Sequence, residues 1–136
     1  MQIKEYVSFD KDEICALYSS VGWTAYLKDP EKLIKGFENS LCVLAAYENG
    51  VLAGLIRAVG DGETVVFVQD LLVRPEYRRK GAGKALIDAL LKKYPSVRQA
   101  GLITDDTAQT DAFYRACGFS PLGELGCKVY FIFRNN

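Results

Sequence analysis

Apolar and polar positions along the chain change their period several times, and each change predicts an element. Residues 3–9 (IKEYVSF) alternate as expected of a first strand. The acidic start of residues 10–22 favours a helix N-terminus. Asp29 followed by Pro30 predicts the cap and first turn of a second helix, in which Leu33 and Phe37 share one stripe. Two helices therefore precede the main sheet.

The most regular pattern covers residues 41–73. Asn49-Gly50 separates two apolar runs, and Asp61-Gly62 separates the second run from a third. Both dipeptides are strong signals for tight hairpin turns. This segment is predicted to form a three-stranded antiparallel meander.

The pattern becomes helical from Gly83 and stops at Pro95, and residues 98–104 then predict another strand. A helix-length crossover makes that strand parallel to the third strand of the meander. A last helix is predicted over residues 107–117, ending at Gly118, and a final strand over residues 128–134 (KVYFIFR). With no linker, repeat or low-complexity segment, residues 1–136 are expected to form a single domain.

Composition excludes several classes of function. The 17 basic and 17 acidic residues cancel, so the chain lacks the overall positive charge of a nucleic-acid-binding protein. Histidine is absent and the four cysteines lack CxxC spacing, which argues against a metal site and against Ser/His or Cys/His nucleophile pairs. Without an apolar signal core or a membrane span, the protein is expected to be cytoplasmic, with no membrane partner.

Residues 74–86 (RPEYRRKGAGKAL) concentrate five cations around a Gly-Ala-Gly core at the start of a helical pattern. Backbone N–H groups in a helix's first turn lack intrahelical acceptors, and glycines let an anion approach them. This arrangement is typical of a phosphate site, although a solvated basic turn has the same composition. The segment matches neither GxxxxGK[ST] nor the Rossmann GxGxxG, because Leu86 stands where the third glycine would be.

Two strings in this region carry a family resemblance. DLLVRPEYRRKGAGKALIDALL, followed by AFYRACGF, resembles the acetyl-CoA signature of the GCN5-related N-acetyltransferases (GNAT), with Arg78-x-x-Gly81-x-Gly83 as the shared motif. The resemblance extends over residues 65–119. It implies an α/β (α+β) fold with a mixed, mostly antiparallel six- to seven-stranded sheet, about four helices and splayed parallel central strands. VGW and KLIKGFENS also resemble the bacterial and plastid branch related to serotonin N-acetyltransferase.

The resemblance further implies acetyl-CoA as a cosubstrate, without a metal. Backbone amides of residues 79–84 would bind the pyrophosphate, and the backbone of Leu71 to Val73 would bind pantetheine like an added strand. Thr107 stands where the family has an asparagine, which weakens that contact. The implied coenzyme-binding residues are Leu71, Leu72, Val73, Arg78, Arg79, Lys80, Gly81, Ala82, Gly83, Lys84, Thr107 and Tyr114.

Acetyl transfer needs a proton donor for the thiolate and a base for the amine. Tyr114 matches the family's general acid, and the alternative is a tyrosine that only packs. Asp70 is either a partly buried functional acid, and so the candidate base, or a bulge residue that points to solvent. Asp61 and Glu63 belong to a turn and are expected to be solvated.

The acceptor is expected to be a primary amine on a small molecule or a peptide. Trp23 and Tyr26 either form an aromatic wall for this substrate or close the core. A non-catalytic coenzyme A sensor is the alternative function. The apolar segment KVYFIF is consistent with a homodimer formed by strand pairing or packing.

Overall fold

The computed structural model describes residues 1–134, whose contacts cluster in two compact units. The first is Met1–Ile103, and the second begins at Thr104. The expectation of a single domain over residues 1–136 stays a prediction.

The first unit is built on one five-stranded sheet in the order β1-β2-β3-β4-β5. Pairs from β1 to β4 are antiparallel, and β4 pairs with β5 in parallel. The strands are β1 (Gln2–Glu5), β2 (Cys42–Glu48), β3 (Val51–Gly60), β4 (Val65–Val73) and β5 (Gln99–Leu102). The predicted meander and the parallel crossover are confirmed.

Helices cover both faces of this sheet. The four α-helices of the described chain are α1 (Lys11–Ser20), α2 (Pro30–Glu38), α3 (Ala82–Lys93) and, in the second unit, α4 (Ala108–Ala116). Leu55 of β3 lies in the core cluster with side chains of α1 and α2. Leu86 of α3 instead lies close to Gly54, the residue before Leu55 in the same strand. Because successive strand residues face opposite sides, α3 lies on the face opposite α1 and α2.

Helix starts and hairpin turns follow the predicted local chemistry. The Asp29 carboxylate accepts a hydrogen bond from the Lys32 N–H at 3.2 Å and caps α2. Asn49 and Gly50 have φ of 50° and 79°, the left-handed pair that a tight hairpin requires. The mixed α/β fold with four helices is therefore confirmed.

The prediction of six to seven strands is wrong, because the described residues contain five. The predicted final strand is the difference: residues 128–134 form no strand in the described chain. Their aromatic and β-branched side chains favour extended backbone, but a strand also requires a neighbour that completes its hydrogen-bond ladder.

In residues 1–134 no helix is long and apolar enough to cross a bilayer.

Candidate functional site

The cation-rich loop leads directly into the N-terminus of α3. Gly81 is the N-cap with φ 83°, in the left-handed region, and a Cβ placed there would meet nothing within 4 Å. The first intrahelical hydrogen bond runs from the Ala85 N–H to the Gly81 carbonyl at 3.0 Å, and no side chain caps the helix. The N–H groups of Ala82 and Gly83 are therefore oriented for an external acceptor.

Four exposed cations are neighbours of these amides in the sequence. Arg78 Nε donates to the Val73 carbonyl at 3.4 Å, and Lys80 Nζ lies 5.7 Å from the centre of the Tyr77 ring. Lys84 pairs with Asp88 at 2.8 Å within the helix. Arg79, the fourth cation, has φ of 63°. The charge concentration and the open amides meet the requirements of a phosphate site.

The end of β4 that precedes this loop has a strand partner on one side only. Pairing with β5 covers Val65–Val68, whereas pairing with β3 continues to Val73. The backbone of residues 69–73 therefore has no strand on its β5 side within the described chain. Leu72 itself is buried in the core, so only its backbone is available to a ligand. This is the divergence of the central strands that was expected.

Asp70 lies at the centre of a buried polar cluster. Its Oδ2 accepts hydrogen bonds from Arg57 Nε at 2.8 Å and from the Tyr18 hydroxyl at 2.9 Å. Its Oδ1 accepts one from the Tyr26 hydroxyl at 3.0 Å. Asp70 is 2% exposed and Arg57 6%. Asp70 is therefore buried and does not point to solvent, while its role as a functional acid stays a prediction.

The surroundings of the two tyrosines in this cluster raise the pKa values of their phenols. Burial raises the pKa of the Tyr18 phenol, and the Asp70 carboxylate raises it further. Burial and the same carboxylate raise the pKa of Tyr26, while the hydrogen bond from Gln69 opposes them. Both phenols therefore remain protonated donors at neutral pH. Among residues 1–134, no buried side-chain N or O atom lacks a hydrogen-bond partner.

Sequence reasoning missed Arg57 and Tyr18. Arg57 interrupts the otherwise apolar run LAGLIRAVG, as Asp70 interrupts the following strand. In the structure Arg57 pairs with Asp70 because the hairpin loop is longer than two residues and because the register shifts between Arg57 and Ala58. Counting outward from a two-residue Asp61-Gly62 turn would place Arg57 opposite Val66, so the sequence signal was only the single charge in each of two neighbouring apolar strands. Tyr18 carries no comparable signal, because an amphipathic helix buries tyrosines for many reasons.

The aromatic residues predicted for the acceptor side extend from this cluster. The Tyr18 ring packs edge-on against Tyr26 at 5.5 Å and against Trp23 at 6.2 Å between centroids. Tyr26 is half-buried and packs against the core, and its hydroxyl also accepts a hydrogen bond from Gln69 Nε2 at 3.3 Å. Trp23 is 38% exposed. Tyr26 thus contributes to the core, and Trp23 presents a ring to solvent.

Tyr114 belongs to α4 of the second unit, and Thr107 is the N-cap of that helix. Tyr114 is half-buried, with ring contacts to Phe113 and Phe119. Burial raises the pKa of its phenol and a hydrogen bond with Thr104 opposes the rise, so the group is protonated at neutral pH. Thr107 Oγ1 accepts a hydrogen bond from the Thr110 N–H at 3.1 Å and caps α4. Its hydroxyl therefore already has a structural role.

The two turn carboxylates are exposed, as expected. Asp61 Oδ1 accepts backbone hydrogen bonds from Glu63, Thr64 and Val65, and its Oδ2 accepts the Thr64 hydroxyl. These bonds, that of the Thr64 side chain first, hold the pKa of Asp61 below its usual range. These bonds give the Asp61 carboxylate a structural role in ordering the turn.

Comparisons with known proteins agree with the geometry. The chain is 34% identical to a GNAT family acetyltransferase structure from Streptococcus pneumoniae TIGR4, with a TM-score of 0.88 over 99% of this chain and 98% of that one. It is 30% identical to an uncharacterized N-acetyltransferase of Pyropia yezoensis, over 92% of this chain and 76% of that protein. An aminoglycoside N-acetyltransferase solved with CoA shares the fold, at 20% identity and a TM-score of 0.69 over 99% of each chain.

The family described as the acetyltransferase (GNAT) family matches residues 10–119, most of the chain. That segment contains the Asp70 cluster, the loop before α3 and all of α4. The chain therefore belongs to the GNAT family and is an N-acetyltransferase.

Proposed function

We propose that this enzyme transfers an acetyl group from acetyl-CoA to a primary amine on a small molecule or a peptide, by direct attack in a ternary complex. The observation that carries the proposal is the uncapped first turn of α3, whose open amides adjoin four exposed cations. A relative of this fold has been solved with CoA, which supports the same coenzyme here.

Coenzyme binding would use backbone more than side chains. The pyrophosphate would accept hydrogen bonds from amides of residues 79–84, with Arg78 and Lys84 adding charge-assisted contacts. The pantetheine amides would pair with the backbone of residues 71–73 as a strand pairs with a sheet edge. The Thr107 hydroxyl, engaged as a helix cap, would contribute little.

In the chemical step, the neutral amine nitrogen attacks the thioester carbonyl. The C–N bond forms and the C–S bond breaks, while a strand amide near Leu72 stabilises the negative charge on the carbonyl oxygen. The thiolate takes a proton from the Tyr114 hydroxyl, which remains protonated at neutral pH.

Asp70 is the proposed general base for the amine. Its two oxygens are engaged by three donors, so a proton from the acceptor would reach it through the Tyr26 hydroxyl, which donates to Oδ1. In that relay Tyr26 takes the amine proton as it passes its own to Asp70, so the phenol stays neutral.

An acceptor screen with release of free thiol as the readout tests the proposal. Aminoglycosides, arylalkylamines and lysine-containing peptides are incubated with acetyl-CoA, and a sample without acceptor measures hydrolysis. The expected result is thiol release that depends on one class of amine and yields the acetylated product. Coenzyme binding without turnover on any amine would instead identify a coenzyme A sensor.

Comparison of ligands tests the anion site separately. Coenzyme A is expected to bind more tightly than pantetheine by several kcal/mol, since only coenzyme A presents phosphates to the amides and cations. Isothermal titration of both ligands measures the difference. Equal affinities would locate the anion site elsewhere.

A further inference from the structure

Gln69 and Asp70 are consecutive in β4, yet both side chains contact the hydroxyl of Tyr26. Gln69 Nε2 donates to the Tyr26 oxygen at 3.3 Å, and that hydroxyl donates to Asp70 Oδ1 at 3.0 Å. Successive side chains of a regular strand point to opposite faces of the sheet, so they do not meet on one group. A local distortion of β4 must therefore bring these two side chains together.

A β-bulge is that distortion. Arg57 of β3 pairs with Asp70 of β4. The next residue of β3, Ala58, pairs with Val68, so Gln69 is an extra residue without a partner on β3. Bulges redirect side chains and occur often beside active sites. Here the bulge places an exposed carboxamide next to the buried Asp70 cluster.

The proton count at this contact assigns the two ends of the Gln69 carboxamide. The Tyr26 hydroxyl has one proton, and Asp70 accepts it, so the Gln69 atom at the phenol oxygen must be the N–H donor. The other end is the carbonyl oxygen, Oε1, which accepts no hydrogen bond from any residue in 1–134. Gln69 therefore has an unused acceptor at an exposed position.

Gln69 adjoins the part of β4 where the proposed reaction would take place. The backbone of residues 69–73 has no strand on its β5 side in the described chain. Leu72, near which a strand amide would hold the carbonyl oxygen, follows Gln69 by three positions. At the rise of a strand this separation is roughly 10 Å. That length accommodates the carbonyl group, the attacking nitrogen and one hydrogen bond at each end.

We infer that Gln69 is a specificity-determining residue that selects primary amines, an inference that rests on the acetyl transfer proposed above. After attack, the nitrogen of a primary amine is positive and carries two N–H groups. One proton passes to the Tyr26 oxygen as Tyr26 passes its own to Asp70. The other N–H donates to Gln69 Oε1 and stays in the amide product. A secondary amine has one N–H at this stage and loses it to the relay, so Oε1 is left without a donor.

The other end of the carboxamide assists the relay. As Tyr26 passes its proton to Asp70, negative charge develops on the phenol oxygen, and the Gln69 N–H stabilises that charge. The same hydrogen bond opposes the rise in the pKa of Tyr26 that burial and the Asp70 carboxylate cause. One side chain therefore contacts both the substrate and the relay.

The ratio of kcat/KM for a primary amine to kcat/KM for its N-methyl derivative tests the inference. The probes are phenethylamine, a lysine-containing peptide and an aminoglycoside, each paired with its N-methylated counterpart, and the pair whose primary member is acetylated is measured. Gln69→Met keeps the length of the side chain without its polar atoms. Gln99→Met, the same change at an exposed glutamine of β5, is the matched control.

Gln69→Met is expected to lower this ratio by roughly tenfold, the contribution of one hydrogen bond from a charged donor, with little change in melting temperature. Gln99→Met should keep the wild-type ratio. A ratio that both variants change equally would overturn the inference. Slower turnover of both amines by Gln69→Met with an unchanged ratio would also overturn it, because Gln69 would then act on Tyr26 alone.

This test separates failure of the inference from failure of the proposed function. If wild type acetylates no amine, the proposed function is wrong and the inference is overturned with it. If wild type acetylates an amine and Gln69→Met leaves the ratio unchanged, only the role of Gln69 is overturned.

Discussion

Two polar regions adjoin β4, and they are organised in opposite ways. In the Asp70 cluster every charge and hydroxyl has a partner, and the ion pair with Arg57 is almost wholly buried. In the loop of residues 78–84 the cations are exposed, and the amides at the start of α3 have no intrahelical acceptor.

The difference supports the proposal that the loop, and not the cluster, binds the coenzyme. A closed cluster fixes geometry, because removing one member leaves another buried charge or donor unsatisfied. An open cluster tolerates substitutions in the free protein, because water solvates its groups. Binding of an anion to such a cluster is favourable. Loss of a group should therefore reduce stability in the first region and coenzyme binding in the second.

The largest effect is expected from Asp70→Ala. The substitution leaves the Arg57 guanidinium buried without its carboxylate, and breaking a buried pair in this way costs about 3–5 kcal/mol. Urea unfolding at neutral pH measures the loss. The control is Asp88→Ala, whose exposed pair with Lys84 should contribute no more than about 1 kcal/mol. Equal losses in the two variants would contradict the closed character of the cluster.

Tyrosine-to-phenylalanine substitutions sharpen the comparison by removing single hydroxyls. Tyr114→Phe is expected to slow single-turnover acetyl transfer by roughly 10², the usual contribution of a positioned acid, with little change in the melting temperature. Tyr18→Phe should instead lower the free energy of unfolding by about 1.5–3 kcal/mol, because it removes a hydrogen bond to a charged group. A wild-type single-turnover rate in Tyr114→Phe would end the general-acid proposal.

Gly81→Val should reduce coenzyme A affinity by about tenfold or more, the equivalent of one charge-assisted hydrogen bond, because the side chain blocks the approach to the amides. Gly50→Val is a close control, since its φ of 79° matches the 83° of Gly81 and a Cβ there also meets nothing within 4 Å. Both variants should lose about 1–2 kcal/mol of stability to left-handed strain. Isothermal titration should then find weaker binding in Gly81→Val alone.

The smallest effect is expected from the exposed cations taken singly. Arg79→Ala or Lys80→Ala should weaken coenzyme A binding by a few fold at low salt, since an exposed charge contributes about 0.2–1 kcal/mol, and by less at high salt. Lys32→Ala, an exposed lysine of α2, is the control and should leave the affinity unchanged. Titrations at two ionic strengths measure the effect. A loss that does not change with salt would mean that these side chains act by packing.

The sequence by itself determined the features that depend on neighbouring residues. Asn49-Gly50 specifies a hairpin because few dipeptides adopt the required turn, and Asp29-Pro30 specifies the start of α2 for a similarly local reason. The second hairpin has a longer loop, which the Asp61 carboxylate orders through the N–H groups of residues 63–65. The glycines and cations of residues 78–84 predicted an anion loop at the start of α3; the structure has an uncapped first turn there, and anion binding stays a prediction. The family resemblance rests on the same residues.

Only the tertiary structure decided how distant residues are partnered. Asp70 meets Tyr18 across 52 positions and Tyr26 across 44, and no periodicity encodes such contacts, because they depend on how α1 and the following loop pack on the sheet. The segment of residues 128–134 shows that composition alone does not determine whether a strand forms. Its composition favours a strand, but a strand forms only where a second backbone completes the ladder, and in residues 1–134 none does so.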